Sequence, residues 1–269
     1  FDPFLIYYSG WGLDGAAAGL TIFRFTMLGV ATYLAVFKLG LVDRPRLRTL
    51  RNVLGPFVIV AVPAIATQMS LPMGNYLLTM VMAPFGDDAM AAWAVVGRLT
   101  VVVFGGIFAL SGAIGGIFGQ NYGAGQMDRV RATYRDALLF CLVYTLVAWA
   151  GFVLAVPMVA ALFGLSAQGA EVLYSFAVVG VGGYIFVGAL FVSNAAFNNL
   201  GRPMRSTLVN WIKDGVLSMP LALWLAGMFG AAGVIYGQAA AGIVLGAASA
   251  TWGWFYVKGL RADAPLDPV

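Results

Sequence analysis

The chain has 269 residues, 61% of them hydrophobic and 10% charged, with a mean hydropathy of +0.90, a net charge of +4 and a pI near 9.3. A water-soluble domain carries roughly 25% charged residues to cover its surface, so this composition excludes water as the main solvent and points to a bilayer. The sequence has no histidine and one cysteine, Cys141, which excludes a His-based metal site, a Ser-His-Asp triad, a His proton relay and an internal disulfide.

The chain opens Phe1-Asp2-Pro3, without an initiator methionine and without a basic segment ahead of an apolar stretch. No signal peptide is expected, and the chain reads as N-terminally incomplete. A bilayer core about 30 Å thick takes about 20 apolar residues per helix. Apolar windows at 13–37, 54–84, 89–119, 137–163, 171–197, 206–228 and 231–257 therefore predict an all-α polytopic membrane protein of about seven spans. The 35 glycines read as places where helices approach closely in lipid, and Cys141 as a small buried or lipid-facing side chain.

Charge in the joints orients these spans, because cytoplasmic loops collect Lys and Arg. The joint after the first span holds Lys38, Arg44, Arg46, Arg48 and Arg51, that after the third Arg129, Arg131 and Arg135, that after the fifth Arg202 and Arg205, and the tail Lys258 and Arg261. The intervening joints hold Asp87, Asp88 and Glu171 and no cation. All twelve loop cations thus fall on one side, which predicts an outer N-terminus and a cytoplasmic C-terminus. The basic pI then follows from topology, and no nucleic-acid partner is expected. The segment Asp43–Arg51, with Leu47 and Leu50 among arginines, suits a short helix on the anionic inner leaflet and a linker between two units.

Ionisable groups inside spans are costly and face a cavity or a partner. Arg24, Arg98 and Lys213 are the basic residues so placed, and Asp214 is the sole acidic one well inside a span. Asp214 is therefore the carboxylate able to carry a coupling proton, or else one half of a structural ion pair, for example with Arg98 from another helix. Lys213 need not pair with it, since adjacent helical residues point about 100° apart. Gln68, Asn75 and Tyr76 in the second span and Asn194 and Asn198 in the fifth add neutral polar groups. Spacings of seven and four place Gln68 with Asn75, and Asn194 with Asn198, on one helix face. They either line a cavity or glue helices together.

Pro63 and Pro72 remove backbone donors from the second span and permit bending. Met69, Met73 and Met80 with Phe104 and Phe108 suit either a pliable cavity or ordinary packing. Gly119, Gly123 and Gly125 admit backbone angles closed to other residues and so can end the third span tightly. No Gly-Lys-Ser/Thr follows them, so no nucleotide site is expected. No catalytic dyad lies in the spans, so no enzyme, metal or cofactor is expected.

The first and last spans also echo one another, Ala17-Ala-Gly-Leu-Thr-Ile-Phe-Arg24 against Ala231-Ala-Gly-Val-Ile-Tyr-Gly-Gln238, as internal repeats of secondary transporters do. Phe1-Asp-Pro-Phe-Leu-Ile6 with Gly15-Ala-Ala-Ala18 resembles the start of the sixth helix of multidrug and toxic compound extrusion (MATE) exporters. Ala91-Ala-Trp-Ala-Val-Val-Gly-Arg98 with Gly119-Gln-Asn-Tyr-Gly-Ala-Gly125 and Arg129-Val130 is similar to the family's eighth helix and following loop. Asn194-Ala-Ala-Phe-Asn-Asn-Leu-Gly-Arg202 with Pro203 resembles the end of its tenth.

Order and spacing match helices six to twelve of twelve. The resemblance implies the last helix of an N-terminal lobe at 1–37, an inter-lobe linker at 38–53, a six-helix lobe at 54–258 and a tail at 259–269. It also implies a bacterial inner-membrane antiporter working by alternating access. Its expected partners are bulky, often cationic drugs or toxins, a coupling proton or sodium ion, the lipid bilayer and an N-terminal lobe outside this chain. Sodium-coupled members carry acidic residues in helices seven and ten, which spans two and five lack; the proton-coupled branch places its key aspartate in the first lobe. Protons are therefore the expected coupling ion. The competing reading is a flippase of the same superfamily for a lipid-linked saccharide or precursor, which needs a more cationic cavity than Arg24, Arg98 and Lys213 supply.

Overall fold

The computed structural model describes residues 4–5, 11–40 and 47–261, and among these every regular element is helical. The chain divides into two compact units, Phe1–Gly55 and Pro56–Val269. In the first, α1 (Gly12–Thr32) runs on into a π-helical turn at Tyr33–Lys38. It exposes Leu20, Phe23, Phe25 and Met27, an apolar surface suited to lipid.

The second unit holds the remaining helices, α2 (Leu47–Met82) entering it across the boundary. Next come α3 (Asp87–Val103), α4 (Gly105–Gly123) and α5 (Met127–Leu162). A π turn at Phe176–Gly180 joins α6 (Ala167–Ser175) to α7 (Val181–Asn199). A second π turn at Ile212–Leu217 joins α8 (Pro203–Trp211) to α9 (Ser218–Phe229), and α10 (Ala231–Gly259) closes the unit.

Five helical stretches are long and apolar enough to cross a membrane: Ala17–Lys38, Met127–Leu162, Ala167–Asn199, Pro203–Phe229 and Ala231–Gly259, and α3 with α4 makes a sixth. In α2 no charged residue lies between positions 53 and 82, and this helix stands where the second span was expected. The chain is an integral membrane protein by this architecture.

Several expectations need correcting. The span at 89–119 is two helices bent by 48° at Phe104. The Tyr144 hydroxyl bridges the break, donating to Val103 O at 2.8 Å and accepting from Gly106 N–H at 3.4 Å. A Cβ on Gly106 would come within 2.6 Å of the Tyr144 ring, so the glycine is what admits the bridge. Conversely, α2 passes through Pro63 and Pro72 without interruption. In the segment 38–53, where a short helix was expected over Asp43–Arg51, α2 begins at Leu47; residues 41–46 lie outside the described residues, as do Phe1-Asp2-Pro3 and the tail from 262. Gly119 and Gly123 are helical, and Gly125 alone of the three takes a positive φ, +69°. There its N–H bonds Tyr122 O and Gln126 N–H bonds Asn121 O, closing α4 as a C-terminal glycine turn does.

Small residues set the packing, as lipid-embedded helices require. α10 lies along α7 and α9, and α7 also meets α4 and α5. A Cβ at Gly237 would sit 2.4 Å from Ala222 Cα, and one at Gly246 would sit 2.2 Å from Phe186 O; both clashes are with backbone, which cannot turn aside. Cys141 is buried on α5 opposite Gly188 of α7. Val147, Leu154, Met158 and Leu162 are exposed along α5, spaced as one outward face.

The two ends of this unit carry different charge. At one end Arg131 Nη2 donates to Lys258 O and Leu260 O at 3.3 and 3.2 Å. The Arg205 guanidinium lies 4.9 Å from the Trp252 ring and 4.6 Å from that of Tyr256, whose hydroxyl donates to Leu200 O. The α4–α5 and α7–α8 joints and the end of α10 therefore share one end. At the other, Gln168 Nε2 donates to Phe85 O at 3.2 Å, joining the two turns that bear exposed Asp87, Asp88 and Glu171.

Candidate functional site

The second unit encloses a cavity of about 710 Å³ walled by α2, α3, α4, α7, α8, α10 and both π turns. Three hydrogen-bonding contacts fix its α2–α8 wall. The hydroxyls of Thr67 and Thr207 are 2.8 Å apart, and Thr207 Oγ1 donates to Pro63 O at 3.1 Å. Trp211 Nε1 donates to Ala66 O at 2.8 Å. Pro63 thus lends its carbonyl to the contact between the two helices. Pro72 has no N–H, so the carbonyl of Gln68, four residues back, lacks its helical donor.

Six of the expected residues meet on the cavity wall: Gln68 and Asn75 from α2, Asn194 and Asn198 from α7, and Lys213 and Asp214 from the second π turn. Lys213 Nζ and Asp214 Oδ1 form an ion pair whose side chains are 13% and 7% exposed. The long lysine stem bends back to its neighbour in the π turn, so the partner of Asp214 is Lys213 and not Arg98. Gly74 faces this pair, and a Cβ there would lie 2.8 Å from Asp214 Cβ. Ser218 Oγ donates to Lys213 O at 2.6 Å, supporting the turn from the far side.

Other expected residues lie elsewhere. Arg98 is exposed on α3 and off the wall, and Tyr76 is exposed on a separate face of α2 with Met69, Pro72 and Met73. Met80 is exposed too. Arg24 is exposed in the first unit. Phe108 does reach the wall and packs edge-on against Phe191, with ring centroids 5.5 Å apart. Phe104 is fully buried and stacks at 3.8 Å on Tyr184, itself a wall residue.

Sequence reasoning passed over Trp93, Tyr184, Asn199, Asn210 and Gln238, all on the wall. Asn210 was within reach, since it stands one turn before Asp214 and shares its face. Asn194 Oδ1 and Ser206 Oγ are buried without a hydrogen-bond partner among the described residues, so both keep free bonding capacity at the wall. Among the described residues Lys213 and Asp214 are the only charged ones lining the cavity. The site therefore offers amides, hydroxyls, aromatic faces and one neutralised charge pair. Its size and mixed lining suit a large amphipathic molecule.

Membrane-length helices with an apolar exterior around a cavity of mixed polar and apolar lining define a polytopic integral membrane protein. The chain belongs to the MatE family, whose model matches residues 63–224. It is 26% identical over 227 residues to a FAD transporter of Shewanella oneidensis, covering 82% of this chain and 50% of that protein. It is 32% identical over 185 residues to an uncharacterized 21 kDa protein in the iaaL 5′ region of Pseudomonas savastanoi, covering 66% of this chain and 59% of that one. In fold it matches a Vibrio cholerae MATE transporter with a TM-score of 0.81 at 20% identity, over 97% of this chain and 60% of that one. The chain thus spans about half to three fifths of the length of these relatives.

Proposed function

We propose that the chain is the C-terminal lobe, at 54–258, of a secondary active exporter, with the last helix of the N-terminal lobe at 1–37 and an inter-lobe linker at 38–53. The whole protein moves bulky organic compounds, often cationic, out of a bacterial cell across the inner membrane in exchange for protons. The two lobes alternate access to a shared site, and the cation-rich end faces the cytoplasm. The observation carrying this reading is the cavity itself: about 710 Å³ of amide and aromatic wall with one carboxylate, Asp214, inside a bundle whose outside is apolar. Proton rather than sodium exchange is favoured because α2 from position 53 on and the α6–α7 stretch from position 172 on carry no acidic residue.

A second reading draws on the FAD transporter relative: a substrate bearing a pyrophosphate, either a dinucleotide or a lipid-linked saccharide. Among the described residues Lys213 is the one cation on the wall and is already paired with Asp214, so these residues give the wall no net positive charge for a pyrophosphate. That favours the first reading.

The test is efflux of a cationic dye from vesicles holding the full-length parent, with and without Asp214→Asn, under a proton gradient and then a sodium gradient. We expect proton-driven efflux that the substitution lowers at least tenfold. Sodium-driven efflux, or proton-driven efflux untouched by the substitution, would remove Asp214 from coupling; a parent that moves FAD and no cationic dye would favour the second reading.

A further inference from the structure

The two charges on the cavity wall are unlike in freedom. Asp214 is fixed: its backbone lies in the π turn that Ser218 hydrogen-bonds, and Gly74 of α2 comes flush against its Cβ. Its own stem is short, so the carboxylate has nowhere else to go. Lys213 is a single ammonium on four flexible carbons, able to swing without moving the helix. The pair is nearly dry, with side-chain exposures of 13% and 7%, and at that burial an unmatched carboxylate is strongly disfavoured. Every other polar group of the wall, from Gln68 and Asn75 to Asn194, Asn198 and Asn210, is neutral.

We infer that Lys213 is a tethered counter-ion that determines which charge class of substrate the cavity holds, by competing with cationic substrates for Asp214. This rests on the reading that substrate enters this cavity. An uncharged or zwitterionic compound binds beside the intact Lys213–Asp214 pair, using the amides and the Trp93, Phe108 and Tyr184 rings. A permanent cation binds at the carboxylate only by displacing the Lys213 ammonium, and the released lysine then stands beside it as a like charge. The lysine therefore holds cation affinity down and speeds release, while leaving affinity for uncharged compounds alone. Lys213 thereby sets how tightly the wall holds a cation relative to an uncharged molecule of the same shape.

The experiment uses the full-length parent and two probes of one shape, a quaternary phenanthridinium dye and its uncharged phenanthridine parent. Binding of each is measured to wild type, to Lys213→Gln and to the double variant Lys213→Gln/Asp214→Asn. In Lys213→Gln the cation should bind about 10-fold tighter, the scale expected when one nearby like charge is removed from a partly buried site, with the uncharged probe unchanged. The double variant leaves no unpaired charge and so does not depend on the single variant folding. In it the uncharged probe should bind as to wild type, and the cation should lose the whole gain. Equal changes for both probes, or no change for the cation, would overturn the inference. Alkylation of Asn198→Cys separates this failure from that of the underlying reading. If neither probe slows labelling at the wall, substrate does not enter the cavity and both readings fall; if both slow it without a charge split, only the role of Lys213 falls.

Discussion

The cation-rich end and the middle of the bundle treat charge in opposite ways. At the end, Arg205 lies over three aromatic rings, 5.8, 4.9 and 4.6 Å from those of Phe197, Trp252 and Tyr256, and Arg131 is spread over the carbonyls of Lys258 and Leu260 at the end of α10. Arg131 also pairs with Asp128 of its own helix at 2.9 Å, but it is through ring faces and backbone carbonyls that these cations tie three chain segments together. In the middle, Lys213 meets a carboxylate on the neighbouring residue, a contact that ties no two helices together. A cation that holds helices serves architecture, whereas a cation bound only to its neighbour can be exchanged without loosening the bundle. The same residue chemistry thus reads as structural at one level of the molecule and as selective at another.

That contrast can be broken or sharpened by substitution. The largest effect is expected at Gly74→Val, where the new side chain would occupy the space against Asp214 Cβ and push α2 off the π turn. Overpacking of this kind costs about 1–3 kcal/mol, and dye efflux should fall by at least ten-fold while the folded protein is still recovered; a variant with wild-type efflux would show that the α2 approach to Asp214 does not matter. A smaller effect, about 1–2 kcal/mol from the lost cation–ring contacts, is expected for Arg205→Gln. Here thermal unfolding in detergent should come earlier with substrate affinity unchanged. An affinity change without a stability change would place Arg205 with the middle of the bundle instead.

Much of the fold was legible in the sequence because hydropathy marks what touches lipid. It does not mark where helices end. α5 starts at Met127 rather than near 137, since Met127, Val130, Tyr134 and Ala137 are buried at helical spacing beneath the charged surface of Arg129 and Arg135, and the helix continues beyond the apolar window. The break at Phe104 was hidden for the converse reason: Gly105 and Gly106 sit in an apolar run, where hydropathy does not fall, and the Tyr144 bridge comes from thirty-eight residues away.

At the site, same-face spacing identified Gln68 with Asn75 and Asn194 with Asn198, because helical periodicity survives into the tertiary structure. Which face looks inward is decided by packing against other helices. Arg98 was therefore indistinguishable in sequence from a wall residue, although it is exposed on α3. The Lys213–Asp214 contact was illegible because the 100° between adjacent helical residues argues against it, whereas a long basic side chain can bend back to its neighbour, as Arg135 also does to Asp136 in α5.

The measurement that bears most directly on the central claim, that the cavity of the second unit is where substrate sits, is protection of a cysteine on its wall. In the full-length parent with Cys141→Ala and Asn198→Cys, the rate of maleimide labelling would be followed as an exported dye is added. The dye should slow labelling several-fold at concentrations that saturate efflux, and a control cysteine at exposed Leu154 on the outer face of α5 should be unaffected. Labelling of Asn198→Cys that is indifferent to saturating dye, in a variant that still exports it, would contradict the account.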